Sequence, residues 1–131
     1  MKYLSPEKVV AMHEQIIRPD ELQGVARNKY IESVLARVDN RIAYGLIEDV
    51  FELAACYACC IAVGNAFNDG NKRTAFKAMD TCLTINGIEL DFDTAEAGDM
   101  MIKAAQGFID ERELAEWLRT LAQENFRTQG G

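Results

Sequence analysis

The stretch "GNAFNDGNKRTAFKA", Gly64 to Ala78, gathers amides, a carboxylate, two glycines and the adjacent cations Lys72 and Arg73 in an arrangement that suits an anion. Lys72 and Arg73 stand where a helix begins, although the positive end of the helix dipole repels cations there. A phosphate group resolves the conflict, because the free N–H groups of a helix N-terminus also attract anions. In this reading Asp69 supplies one carboxylate for a magnesium ion held against phosphate oxygens. Gly70 lets the backbone approach closely, and Asn71 stands at the start of the helix. Lys72 neutralises phosphate as a point charge and Arg73 as a planar fork, while Phe67 anchors the loop to the core. The bland alternative is an Asn/Asp/Gly turn followed by two solvated basic residues, a common composition for turns.

Two helices must hold this loop. A Walker-type phosphate loop follows a strand and sets its lysine directly after its second glycine, so the motif here is a different anion site. Before it, residues from about Ile47 to Val63 are apolar all round, as in a central helix surrounded by others, and Gly64 stops them. After it, Ala75, Phe76, Met79, Cys82 and Leu83 form an apolar stripe that ends at Asn86 and Gly87. Ser5 and Pro6 start a first helix, expected to run to about Ile17, and Tyr30 to Ile42 carry the spacing of a second. The end of that second helix is open, since Asp39, Asn40 and Gly45 equally suit a loop or a short hairpin. Ile88 to Phe92 is at most a short extended piece. Asp93 with Glu96, and Asp110 with Glu113, have capping-box spacing ahead of two further helices, separated by Gly107. The expectation is an all-α single domain over 1–126, with a disordered tail at 127–131.

Composition narrows the function. A chain of 131 residues, 49% hydrophobic, supports one core. Its net charge of -7 argues against general nucleic-acid binding, which needs a basic face. The longest charge-free apolar run, Leu53 to Val63, falls short of the roughly 20 residues that cross a bilayer. No basic segment followed by an apolar run opens the chain, and Cys56, Cys59, Cys60 and Cys82 suit a reduced, cytoplasmic setting. Cys56 and Cys59 have half-zinc spacing, but a site would have to recruit Cys82 or the distant His13, so small core residues are the favoured reading. His13 lies on the stripe Val9, Met12, Ile16 and reads as a packed or half-exposed histidine rather than a ligand.

"NAFNDGNKRTAF" resembles the signature of the Fic/Doc family, which in Doc toxins reads His-x-Phe-Asn-Asp-Ala/Gly-Asn-Lys-Arg-Thr-Ala. "YLSPEKVVAMHEQII", "ARVDNRIAYGLIEDVFELAACY" and "FDTAEAGDMMIKAAQGFIDERELAEWLRTL" extend the resemblance over nearly the whole chain. It implies a compact helical fold with a central buried helix, whose helix-loop-helix site binds ATP and magnesium. It further implies a toxin neutralised by an antitoxin segment that folds as a helix on it. Doc toxins transfer the terminal phosphate of ATP to a threonine hydroxyl of elongation factor Tu and stop translation. Other family members transfer AMP and carry Gly-Asn-Gly-Arg where this chain has Gly70, Asn71, Lys72 and Arg73, so Lys72 places it with the phosphate-transferring branch.

Carried over by position, Asp69 is the magnesium-associated acid, and Asn68, Gly70, Asn71, Lys72 and Arg73 are the nucleotide-binding set. Asp69, Lys72 and Arg73 also belong to the catalytic set. One position departs: Asn65 stands where the family has its catalytic histidine. An amide has no basic nitrogen near neutral pH and cannot take the proton of an attacking hydroxyl. The otherwise intact motif favours an engineered, inactivating replacement over natural loss of the chemistry. Nucleotidyl transfer and a catalytically silent module that binds a nucleotide or a peptide are the rival functions.

Overall fold

The structure, a computed structural model, describes residues 1–26 and 30–130, with the side chains of 126–130 outside the description. Six helices follow one another: α1 Pro6–Ile16, α2 Ile31–Ala43, α3 Val50–Gly64, α4 Asn71–Ile85, α5 Thr94–Gln106 and α6 Glu111–Gly130. Among the described residues there is no strand, only one isolated antiparallel bridge between Val25 and Phe67. The expected all-α fold is therefore the observed one.

α3 is the hub. Every residue from Leu53 to Ala62 is buried, and the helix packs against α2, α4, α5 and α6. Side chains such as Leu53 and Ile61 each stabilise the fold by about 1.5–3 kcal/mol when taken fully out of water. Tyr57 is wholly buried, and its hydroxyl is satisfied by the N-terminal segment: it accepts from the Leu4 N–H at 2.9 Å and donates to the Leu4 carbonyl at 3.5 Å. Gly64 closes the helix against α2, where an added Cβ would stand 2.6 Å from a Val34 methyl. The Val34 side chain occupies the space that a Cβ at position 64 would need.

The caps set the boundaries. Ser5 accepts from the Lys8 N–H with Pro6 in the first turn, as its sequence indicates. Asp93 accepts from Glu96, and Asp110 and Glu113 bond reciprocally. α3 begins at Val50 rather than near Ile47, because Asp49 accepts from the Glu52 N–H at 2.8 Å and fixes the start there. α2 stays helical to Ala43, so the hairpin alternative for its end is not realised. Residues 127–130, set apart in the sequence as a tail, continue the α6 backbone, and Gly131 lies outside the described residues.

Candidate active site

Asn65 to Gly70 form the whole connection between α3 and α4. Asn65 caps α3 in the left-handed conformation, φ 49 and ψ 43, and is the one non-glycine residue with positive φ among those described. Its side chain is exposed and its amide donates to the Val63 carbonyl at 3.3 Å. Phe67 is buried, as its role as an anchor requires.

His13 is what Phe67 packs on. The two rings stack with centroids 3.9 Å apart and planes within 5°. His13 Nε2 also lies 2.7 Å from the Asp69 carbonyl. A carbonyl only accepts, so Nε2 carries the proton and the tautomer is fixed. The packed-histidine reading holds, yet this histidine positions the loop. Its lone signal in the sequence is its place on an apolar stripe.

Asn71 braces the same loop from the other side. Its Oδ1 accepts from the Phe67 N–H at 3.1 Å and its Nδ2 donates to the Phe67 carbonyl at 2.9 Å. Both ends of the amide are thereby engaged with protein. Asn68 is turned in the same way toward residues 22–26: its Nδ2 donates to the Gln23 carbonyl at 2.9 Å, and its N–H donates to Gly24. The Ala26 N–H completes the pairing by donating to Ala66 at 2.7 Å. Leu22 donates its N–H to one Asp69 carboxylate oxygen at 2.9 Å. No sequence signal marked this covering segment, because it is joined through backbone groups that every residue has.

The start of α4 differs from that of the other helices. The other five helices carry at least one acid in the first turn, whereas α4 has none and places Lys72 and Arg73 there. Gly70, at φ 79, is the N-cap and offers no side-chain acceptor, so the N–H groups of the first turn lack the usual cap. A Cβ on Gly70 would meet Ile17 at 3.3 Å and His13 at 3.5 Å. The hydroxyl of Thr74, fully buried four residues further on, has no partner among the described residues. Lys72 is exposed. Arg73 is held: it bonds the Glu21 carboxylate and donates to the Ile16 carbonyl at 3.3 Å. That hydrogen bond lowers Glu21 below the ordinary carboxylate range and raises the guanidinium. Uncapped N–H groups, a glycine and two cations form a donor set that fits phosphate, and Asp69 offers a magnesium ion the single carboxylate such sites commonly use.

Beside the two cations, α4 and α5 enclose an open groove of about 540 Å³. Its floor includes Ile16, Phe76, Phe92, Met101 and Ile102, and Lys77 joins Lys72 and Arg73 along it.

Fold and site define a single-core helical protein whose central helix is joined to the next by a loop that leads into an uncapped helix start with two cations. The chain belongs to the Fic/DOC family, whose pattern matches residues 3–83. Enzymes of this family are nucleotide-using transferases. The chain is 38% identical over 122 residues to Protein kinase doc of Escherichia phage P1, covering 92% of this chain and 96% of that protein. It is also 43% identical over 58 residues to Toxin Doc of Mycolicibacterium smegmatis, covering 43% and 45% of the two chains. No described helix is long and apolar enough to cross a membrane.

Proposed function

We propose that this protein is a Doc-type toxin whose site transfers the terminal phosphate of ATP to a hydroxyl of a translation factor, elongation factor Tu, and that Asn65 leaves the chain as it stands very slow. The observation that carries the reading is the uncapped start of α4, with Lys72 and Arg73 in a first turn that lacks any acid. Relatives named as a kinase and as a toxin support it. Lys72 and Arg73 neutralise charge on the phosphates, and the N–H groups of the first turn orient them. Magnesium, held by Asp69, would supply further charge neutralisation on the phosphate oxygens.

In the transfer, the hydroxyl oxygen bonds to the terminal phosphorus, the bond to the bridging oxygen breaks, and ADP leaves. The hydroxyl proton must go to an acceptor. A histidine at position 65 would take it; the Asn65 amide cannot, so water must. Left-handed backbone accommodates asparagine and histidine alike, so the replacement acts on proton transfer rather than on the loop.

The test is incubation of the chain and of its Asn65→His variant with elongation factor Tu and ATP labelled on either the first or the last phosphate. Label from the last phosphate is expected, at a rate raised by about 10²- to 10⁴-fold in the variant with ATP affinity little changed. Equal rates would remove the base assignment. Label from the first phosphate would make the protein a nucleotidyl transferase, and normal ATP binding without transfer by either chain would make it a binding module.

The apolar groove beside this site supports a further part of the proposal, a peptide-like antitoxin segment that folds as a helix on the toxin.

A further inference from the structure

Cys56, Cys59, Cys60 and Cys82 are all free and buried. The sequence offers Cys56 and Cys59 as a metal-like spacing, but the fold selects a different pair. Cys56 and Cys60 stand one helical turn apart on α3, and each has its sulfur within 4.8 Å of the other and of a carboxylate oxygen of Glu111, the first residue of α6. Among the described residues no other three His, Cys, Asp or Glu side chains converge in this way. Ligands on a zinc tetrahedron, at about 2.3 Å for sulfur and 2.0–2.2 Å for oxygen, lie roughly 3.5–3.8 Å from one another. The observed cluster needs only a small contraction to reach that spacing.

Charge supports the same conclusion. Arg41 reaches Glu111 at 2.9 Å and the Cys60 sulfur at 4.0 Å. Two thiolates and a carboxylate carry three negative charges, and a divalent cation with Arg41 carries three positive ones. The site is neutral when filled, which removes the main objection to placing charge in a core. Filling it exchanges one dication for the two thiol protons, which leave to solvent, and requires no oxidant. Glu111 lines two open cavities, of about 500 and 620 Å³, so the carboxylate end of the cluster reaches solvent.

We propose that Cys56, Cys60 and Glu111 bind one thiophilic divalent cation of the zinc class, with a solvent ligand in the fourth position. The ion ties α6 to the helix that leads into the anion loop, and its binding is independent of the kinase reading.

The experiment titrates the full-length, reduced protein with cobalt(II) as an optical surrogate for zinc. One equivalent is expected to bring up thiolate-to-cobalt charge-transfer absorption and tetrahedral visible bands, both abolished by added zinc. Cys56→Ala/Cys60→Ala should lose the bands entirely, while Cys59→Ala and Cys82→Ala keep them. Glu111→Gln, at a partly exposed position, should fold normally and weaken cobalt binding by at least about tenfold. Zinc should raise the melting temperature of the wild-type chain and leave that of the double variant unmoved. Absence of the bands in the wild-type protein, or their persistence in the double variant, would overturn the assignment.

Discussion

Arg73 is the residue at which the site and its surroundings compete. Its guanidinium must meet phosphate in the proposed chemistry, yet Glu21 and the Ile16 carbonyl already hold it. Glu21 thus keeps the fork in place and at the same time offsets its charge. Removing that charge frees the fork for an anion. Ion pairs open to solvent are weak, so Glu21→Gln should tighten ATP binding by no more than about fivefold. Stability should move the other way. Arg73 depresses Glu21, so the pair stabilises the fold above the ordinary carboxylate range and loses that contribution as pH falls through the lowered value. The variant should melt slightly below the wild type at neutral pH, and the gap should close on acidification. Calorimetric titration with ATP and melts across the acid range read the two effects separately; unchanged affinity would mean that Arg73 does not meet the phosphates. Lys72 is exposed and carries no comparable contact, so Lys72→Ala should weaken ATP binding without lowering the melting temperature.

At the scale of elements, the loop is placed by how closely α3 approaches α2. Gly64 sits in the last turn of α3, where alanine would be favoured by about 1 kcal/mol on helix propensity alone. A Cβ there meets Val34 at 2.6 Å, and a valine side chain on a helix has little freedom to turn away. Overpacking costs roughly 1–3 kcal/mol and should win, so Gly64→Ala lowers stability in a denaturant titration, and Val34→Ala in the same chain recovers part of the loss. The packing that decides this was not legible in the sequence, which shows Gly64 only as a stop. What was legible were features written in one segment at a time: the all-apolar α3, the capping pairs at Asp93 and Asp110, and the cations that open α4. What was not legible joins distant segments. His13 stacks on Phe67 across 54 positions, the covering residues 22–26 contribute only their own backbone groups, and Glu111 meets Cys56 only when α6 has folded back on α3.

Over the whole molecule the charge is -7, and the groove between α4 and α5 runs against that balance, with Lys72, Arg73 and Lys77 beside an apolar floor. A general acidic surface repels an acidic partner, and this groove attracts one. The partner it fits is an amphipathic helix with apolar anchors at helical spacing and acids on its flanks, the form expected of an antitoxin segment under the proposed function. Such a helix gains from both contributions, burial of its anchors and pairing along the rim, and only the second weakens with salt. Ile102 separates them. It lines the groove and is 42% exposed in the free protein, so changing it should spare the fold. Ile102→Asp removes an apolar contact and places a negative charge facing an acidic partner. Loss of buried apolar area alone is worth about 1.5–3 kcal/mol, which corresponds to a weakening of at least about tenfold. The rise in melting temperature that the antitoxin segment confers on the toxin should shrink in the same variant, because stabilisation by a partner follows its affinity. Affinity and melting shift measured with the antitoxin segment check both. Unaltered values for Ile102→Asp would place the partner on another face of the molecule, whatever the site at α4 proves to transfer.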